Sequence, residues 1–218
     1  MPEPITLVGA GGGVIAILAQ LARWYFNAAK EVVDILLGVI FGLLALPVLL
    51  VCAALIKISS RGPVLFSQVR VGRDGKNFRM YKFRTMFVDA ESASGAVWAA
   101  DKDPRVVPAC RWMRRSHLDE LPQLWNVIKG EMSIVGPRPE RPEIMAELEK
   151  HYPEVRKRLA VKPGITGLAQ VRTGYDSSIE SFRHKLQADL EYINKRKWSM
   201  ELAILARTVW KLNDSKAK

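Results

Sequence analysis

Residues 35–56 read ILLGVIFGLLALPVLLVCAALI and contain no charged side chain. A helix of this length rises about 33 Å, which matches the roughly 30 Å hydrocarbon core of a bilayer. Leucine, isoleucine and valine dominate the segment. The sequence therefore predicts a membrane-embedded helix in the first quarter of the chain.

Two details argue against a simple membrane span. Pro47 lies past the middle of the segment, where it removes a backbone hydrogen bond and kinks a helix. Cations flank both ends, namely Arg23 and Lys30 before the segment and Lys57, Arg61, Arg70 and Arg73 after it. Because cationic flanks favour the cytoplasm, the pattern fits a re-entrant helix with both ends on one side of the membrane. An ordinary transmembrane helix with a tolerated proline remains open.

The chain before this segment is also weakly charged. Residues 8–14 read VGAGGGV, but a third glycine at the spacing of a dinucleotide-binding loop is missing. Trp24, Tyr25 and Phe26 follow, and aromatic residues of this kind favour the membrane interface. Residues 1–29 are therefore predicted to be a membrane-associated segment.

The 218-residue chain carries a formal net charge of +11. This surplus predicts an anionic partner: a nucleic acid, an acidic membrane surface or a phosphorylated substrate. Nucleic acid is disfavoured, since the chain has no zinc-ligand spacing, no basic helix with heptads and no aromatic RNA-binding motif. Cys52 and Cys110 make no disulfide framework, which fits a reducing compartment.

The rest of the chain predicts a small soluble domain of mixed but mostly helical structure. Residues 63–72 and 77–84 alternate as two strands around an Asp-Gly turn, which predicts a β-hairpin. Helices are predicted from about Arg111, over 143–159, over 179–195 and over 198–212, with a turn and a short strand over 161–171. The last helix is amphipathic and suits either a core or a membrane surface.

Asp119 and Glu120 form an acidic pair in the run RRSHLDELPQ, residues 114–123. An ionised carboxylate among cations can be a nucleophile, a base or a metal ligand. Arg115 precedes Asp119 by one helical turn and can pair with it or with a substrate phosphate. Taken alone, the run is more typical of a solvated, salt-bridged helix face.

Four further motifs change that interpretation. They are KFRTM at 82–86, LDELPQLWNV at 118–127, GEMSIVGPRP at 130–139 and GITGLAQV at 164–171. In this order they resemble the bacterial sugar transferases, the monotopic phosphoglycosyl transferases. The resemblance extends from about Lys30 to the C-terminus, and four long motifs in order make it specific.

The resemblance implies an α/β fold that is mostly α. Its parts are a kinked re-entrant membrane helix, broken at Pro47, and a small membrane-associated domain with a short β-hairpin and amphipathic helices. On this basis we expect an N-terminal membrane-associated segment (1–29), a re-entrant helix (30–57) and a cytoplasmic catalytic domain (58–218). The expected location is the cytoplasmic face of the bacterial inner membrane.

The resemblance also implies an activity, the transfer of a sugar-1-phosphate from a UDP-sugar to polyprenol (undecaprenyl) phosphate. Asp119 is implied as the nucleophile that forms a phosphosugar-aspartyl intermediate, with Glu120 beside it and Mg²⁺ held by the two carboxylates. Residues implied in substrate binding are Lys82, Arg84, Arg114, Pro137, Arg138 and Pro139. Mg²⁺ and arginines suit this chemistry because they offset the repulsion between two anions.

Two departures from the family pattern bear on these expectations. Leu46 stands where well-known members have a serine before the kink proline. Residues 171–176 read VRTGYD and look more like the exopolysaccharide hexose-phosphate transferases, which hints at UDP-glucose or UDP-galactose. A catalytically degenerate membrane-anchored binding protein is the alternative from another class, and the sequence leaves a homo-oligomer open.

Overall fold

The computed structural model describes residues 10–88, 90, 103–173 and 181–213. The helices are α1 (Ala10–Ser59), α2 (Arg111–Arg115), α3 (Gln123–Ile128), α4 (Pro142–His151), α5 (Leu168–Arg172), α6 (Phe182–Lys195) and α7 (Trp198–Asn213). The strands are β1 (Leu65–Val71), β2 (Asn77–Phe83), β3 (Ser133–Val135) and β4 (Gly164–Thr166). Short 3-10 turns cover Arg73–Gly75, Pro108–Cys110, Leu118–Glu120 and Pro153–Ala160. The predicted mixed, mostly helical class with a long apolar helix near its start is confirmed, and the loop expected over 91–100 lies outside the described residues.

Helix α1 is continuous through Pro47 and contains both the predicted interface aromatics and the apolar segment. The predicted boundary at residue 30 falls within this helix. It is the one helix among the described residues that is long and apolar enough to cross a membrane. The predicted kink and re-entrant path stay predictions, since a helix that passes through a proline establishes neither.

Both flanks of the apolar segment pack on the same folded domain. Before Pro47, the side chains of Lys30 and Asp34 are buried; after it, Cys52 and Ile56 are fully buried. Between these flanks the large apolar side chains are exposed, at Val39, Ile40, Phe41, Leu43, Leu44, Leu46, Val48, Leu50 and Val51. The middle of α1 therefore presents a wide apolar surface that the domain leaves uncovered.

A buried polar network fixes the first flank of α1. The Lys30 ammonium lies 3.2 Å from Asp34 and 2.7 Å from Glu201 of α7. Asp34 also accepts a hydrogen bond from the Ser133 hydroxyl, at 2.7 Å. Because buried charges need partners, this network sets the position of α1 against β3 and α7.

The predicted β-hairpin is confirmed. Strands β1 and β2 are antiparallel, and Val69 pairs with Arg79 in their register. The turn places Asp74 at φ 56° and Gly75 at φ 76°, the left-handed conformations that an Asp-Gly turn supplies. Met80 and Phe83 of β2 are buried in separate apolar clusters.

A second, parallel pair of strands, β3 and β4, was not predicted. The short strand expected over 161–171 is confined to β4, and a helix, α5, begins at Leu168. Gly136 and Gly164 let the backbones on either side of this pair approach closely. A methyl group on Gly164 would overlap the backbone nitrogen of Gly136, and one on Gly136 would lie 2.5 Å from the Lys162 carbonyl oxygen.

Replacement of Gly164 by alanine is expected to destabilise the protein by about 3 kcal/mol or more, because neither contacting backbone segment can move without breaking β3–β4 pairing. Chemical unfolding of the full chain in detergent micelles measures this. Gly42→Ala is the matched control, since an added methyl group at Gly42 meets no atom within 4 Å. Equal stability of the two variants would contradict the close approach.

Of the two interpretations that the sequence left open for α7, core packing is confirmed and contact with a membrane surface stays a prediction. Glu201 and Ile204 are buried against the domain, whereas Leu202, Val209 and Trp210 are exposed. One face of α7 therefore packs on the core, and the other is an apolar surface.

Candidate functional site

Asp119 does not lie on a regular helix. Helix α2 ends at Arg115, His117 adopts a left-handed conformation with φ 56°, and Asp119 follows in the 3-10 turn Leu118–Glu120. The predicted one-turn spacing of Arg115 and Asp119 is therefore wrong, because the chain reverses hand between them. Left-handed backbone at a non-glycine residue is costly and concentrates at functional sites.

The Asp119 side chain is almost enclosed, with the residue 8% exposed. Among the described residues it makes no hydrogen bond or ion pair, although cations lie nearby. Burial, together with the neighbouring Glu120 carboxylate, raises the pKa of Asp119 to about 6; Lys82, Arg114 and Arg138 act in the opposite direction. At neutral pH this carboxylate is ionised, poorly solvated and free to react or to bind a ligand.

Glu120 has a different environment from its neighbour. Its carboxylate lies 2.7 Å from the Lys82 ammonium and accepts two hydrogen bonds from the Arg138 guanidinium, at 2.6 and 3.2 Å. Burial raises the pKa of Glu120, but Arg138 and Lys82 outweigh burial and hold it well below the ordinary value. The two adjacent acids therefore have opposite electrostatic settings, and their catalytic roles stay predictions.

Lys82 belongs to the same cluster, at the end of β2. Its burial lowers its pKa, and the nearby Arg138 acts in the same direction while Glu120 opposes both. The structure thus brings together four of the predicted site residues: Lys82, Asp119, Glu120 and Arg138. Two cations and two carboxylates in one partly enclosed site suit a substrate that carries phosphate groups.

The backbone of the Pro137–Arg138–Pro139 loop is fixed by hydrogen bonds to its carbonyl groups. The Pro137 carbonyl accepts from the Gly164 amide at 2.9 Å, and the Arg138 carbonyl accepts from Arg158 at 2.9 Å. Arg158 is itself buried and lies 2.7 Å from Asp189 of α6. Buried groups from other elements therefore hold the backbone of Arg138 in place, and substrate binding by Pro137 and Pro139 stays a prediction.

Arg70 supports the same loop from β1. It donates to the Pro139 carbonyl at 3.1 Å and to Gln68 at 2.7 Å. Burial lowers the pKa of Arg70 to about 10. From the sequence, Arg70 is only a flanking cation, because nothing in its local pattern reveals contact with a loop 69 residues away.

Two other predicted substrate-binding arginines have partners in the protein. Arg84 is buried and donates to the backbone carbonyls of Ser60 and Arg61 at the end of α1, at 3.0 and 2.5 Å. These bonds fix the segment that directly follows α1. Arg114 donates to the Thr85 hydroxyl at 3.2 Å. Substrate contact by Arg84 and Arg114 stays a prediction.

Asn126, inside the LDELPQLWNV motif, joins helix α3 to the hairpin. Its side chain accepts from the Tyr81 amide at 3.1 Å and donates to the Arg79 carbonyl at 2.7 Å. This clamp holds β2, and with it Lys82, beside the acidic pair. The sequence feature that could have indicated this role is an asparagine within a helix, since a buried asparagine side chain needs hydrogen-bond partners.

Binding of Mg²⁺ by Asp119 and Glu120 stays a prediction, and the side chains present bear on whether an ion would fit. Within the described residues, no group of three or more His, Cys, Asp or Glu side chains is placed to hold a metal by itself. Mg²⁺ is commonly bound by one or two carboxylates together with substrate phosphates and water. Asp119, whose carboxylate is unbonded, fits that pattern, and Glu120 adjoins it.

Comparison with known proteins places the chain in a family. The sequence pattern of the family described as "Bacterial sugar transferase" matches residues 25–215. A putative undecaprenyl-phosphate N-acetylgalactosaminyl 1-phosphate transferase of Bacillus subtilis (strain 168) is 44% identical over 152 residues, which cover 70% of this chain and 80% of that protein.

Two longer relatives are similar over more of the chain. The UDP-N-acetylgalactosamine-undecaprenyl-phosphate N-acetylgalactosaminephosphotransferase of Aeromonas hydrophila is 41% identical over 83% of this chain and 42% of its own length. The UDP-glucose:undecaprenyl-phosphate glucose-1-phosphate transferase of Escherichia coli (strain K12) is 41% identical over 84% of this chain and 39% of its own length. The chain thus spans about two fifths of these two relatives, and it belongs to the bacterial sugar transferase family.

Proposed function

We propose that the chain transfers a sugar-1-phosphate from a UDP-sugar to undecaprenyl phosphate. The observation that carries this proposal is the buried, unbonded Asp119 carboxylate beside Glu120, Lys82 and Arg138. An enclosed nucleophile next to fixed cations suits attack on a diphosphate. The names of the relatives, which specify undecaprenyl phosphate, support the same reaction.

In the first step, an Asp119 oxygen attacks the β-phosphorus of the UDP-sugar. The bond from that phosphorus to the bridging oxygen breaks, UMP leaves with the electron pair, and a phosphosugar-aspartyl ester forms. Arg138 and Lys82 would bind phosphate oxygens during this step, since Glu120 holds both cations toward the site. A carboxylate nucleophile divides a difficult displacement between two anions into two easier ones.

In the second step, a phosphate oxygen of undecaprenyl phosphate attacks the same phosphorus. The bond to Asp119 breaks, the carboxylate is regenerated, and the product is undecaprenyl diphosphate sugar. Mg²⁺ bound by Asp119, Glu120 and the phosphates would supply charge neutralisation. The low pKa of Glu120 keeps that carboxylate ionised throughout, so it remains available to orient Arg138.

A re-entrant path for α1 would place this site at the lipid headgroups. Lys30 and Ile56, on opposite sides of the apolar segment, both pack on one folded domain, which supports both ends lying in the same compartment. A straight span would instead draw polar parts of that domain into the bilayer. Cysteines introduced at Ala28 and Ile58 should react with an impermeant maleimide from the same side, the cytoplasmic one; labelling from opposite sides would refute re-entry.

The donor sugar is proposed at the level of a UDP-hexose, with UDP-glucose, UDP-galactose and UDP-N-acetylgalactosamine as the first candidates. The relatives named for glucose and for N-acetylgalactosamine are similarly identical to this chain. The product would begin the assembly of an exopolysaccharide or another glycoconjugate.

The direct test is incubation of the purified chain with undecaprenyl phosphate, Mg²⁺ and each radiolabelled UDP-sugar. Transfer of label to the organic phase, with stoichiometric UMP, is the expected result for at least one donor. Tight binding of a UDP-sugar without transfer from any donor would instead identify a degenerate binding protein.

A further inference from the structure

A polar cleft lies away from the acidic pair, between the first part of α1, the hairpin turn and the end of α6. It is an open cleft, and its lining includes Asn27, Glu31, Arg73, Lys162 and Arg196. The cleft lies at the hairpin turn, which ends at Lys76, whereas Lys82 of the acidic site lies six residues further along the chain. In an extended strand this is a separation of about 20 Å. The cleft is therefore distinct from the site described above.

The charges around the cleft are unevenly matched. Glu31 is shared by two cations, at 3.0 Å from Arg73 and 3.1 Å from Lys162. Arg196 has no carboxylate within 4 Å among the described residues. Its guanidinium lies over the Phe26 ring, 5.9 Å from the centroid. Burial lowers the pKa of Arg196; Tyr192 and Glu201 oppose this effect, whereas the like-charged neighbours Arg23 and Arg73 add to it.

The side chain of Asn27 is a second feature that points to a ligand site. Asn27 lines the cleft, and its side-chain oxygen is buried without a hydrogen-bond partner among the described residues. The oxygen and nitrogen of an amide exchange places by a simple flip, so the same side chain can offer a donor. A partly buried amide with an enclosed, unpaired oxygen and an arginine with no carboxylate within 4 Å among the described residues line one cleft. They fit a ligand that carries oxygen acceptors and negative charge.

The surroundings of the cleft point to the membrane as the source of that ligand. Trp24 and Tyr25 precede Asn27 on α1 and are exposed. Phe26 packs against Trp198, with ring centroids 5.2 Å apart. Exposed aromatic side chains of this kind lie at the level of lipid headgroups, where basic pockets between helices bind phosphate.

We propose that this cleft binds the phosphate of an anionic phospholipid headgroup, with Arg196, Arg73 and the Asn27 amide as its contacts. Such binding would fix the depth and tilt of α1 at the membrane surface. The site is separate from the transfer reaction, so it stands or fails independently of the proposed function.

The test uses the full chain in neutral detergent micelles and follows its thermal unfolding. Dioctanoyl phosphatidylglycerol, at about ten times its dissociation constant, is expected to raise Tm by about 4 °C, and dioctanoyl phosphatidylcholine by much less. Arg196→Gln should remove the response. Asn27→Leu, which changes no charge, should reduce it, and serves if Arg196→Gln does not fold.

Arg207→Gln is the matched control, because Arg207 is exposed on α7 and does not line the cleft. It should keep the full response. An equal response in all variants would overturn the site, since it would reflect general attraction to anionic lipid. If inorganic phosphate raised Tm through Arg196 as much as phosphatidylglycerol does, that result would overturn the lipid as occupant, because free phosphate would suffice. Transferase activity in neutral micelles should be the same for Arg196→Gln and wild type.

Discussion

Asp119→Asn is expected to lower the rate of sugar phosphate transfer by at least about 10⁴-fold, because an amide cannot replace the carboxylate as nucleophile. Asparagine keeps the size and shape of the side chain, so binding of the UDP-sugar, measured with EDTA and without Mg²⁺, should change little. Steady-state assays with undecaprenyl phosphate measure kcat, and direct titration measures donor affinity. Asp74→Asn, at an exposed position in the hairpin turn, is the matched control and should have wild-type activity.

The same substitution should stabilise the metal-free protein. The pKa of Asp119 is raised from 3.8 to about 6 in the folded state, so between these values the folded protein binds more protons than the unfolded chain. The free energy of unfolding therefore falls as pH rises through this window. Above about pH 6 the burial of the ionised Asp119 carboxylate has its full destabilising effect. Measured with EDTA at about pH 7.5, Asp119→Asn should gain at most about 3 kcal/mol over wild type, with no gain below about pH 4. A loss of stability at the higher pH would contradict the burial of an unbonded charge.

Glu120→Gln is expected to have the second largest effect, a loss of about 100- to 1,000-fold in kcat/KM. Lys82 and Arg138 would then lose the charge that lies between them. Removal of one partner from a buried ion pair also costs about 3 to 5 kcal/mol in stability. The pKa of Lys82, already lowered by burial, should fall further, which weakens the positive charge offered to phosphate.

Glu147→Gln provides the control for this experiment. Glu147 also has two partners, Lys150 at 2.7 Å and His151 at 3.3 Å, but its side chain is 48% exposed. Its replacement should change neither kcat/KM nor Tm measurably. If Glu120→Gln behaved like Glu147→Gln, Glu120 would have no part in orienting the two cations.

Local patterns predicted the parts of the fold that local chemistry decides. The hairpin follows from an Asp-Gly turn between alternating strands, and α1 follows from its apolar composition. Strands β3 and β4 have three residues each and pair across about thirty residues of chain, so neither carries a periodic signal. The GPRP and GITG motifs need glycine at residues 136 and 164 because the backbones of these two segments lie in close contact.

In the candidate site, too, local motifs predicted some residues, whereas others depend on contacts between distant segments. The motifs indicated Asp119, Glu120, Lys82 and Arg138, and the structure brings these side chains together. The roles of Arg158 and Arg70 depend on contacts between distant segments, which no local pattern reports. The left-handed His117 could not be predicted either, because the helical spacing of its neighbours gave no sign of a reversal.

Mass spectrometry of the intact protein tests the central claim most directly. The purified chain would be incubated with Mg²⁺ and a panel of UDP-sugars, without undecaprenyl phosphate, and then digested to locate any modification. We expect release of UMP and the added mass of one sugar phosphate on the peptide that contains Asp119, and neither in Asp119→Asn. Transfer to undecaprenyl phosphate with no adduct from the productive donor, and UMP released only when the acceptor is present, would contradict a covalent intermediate on Asp119.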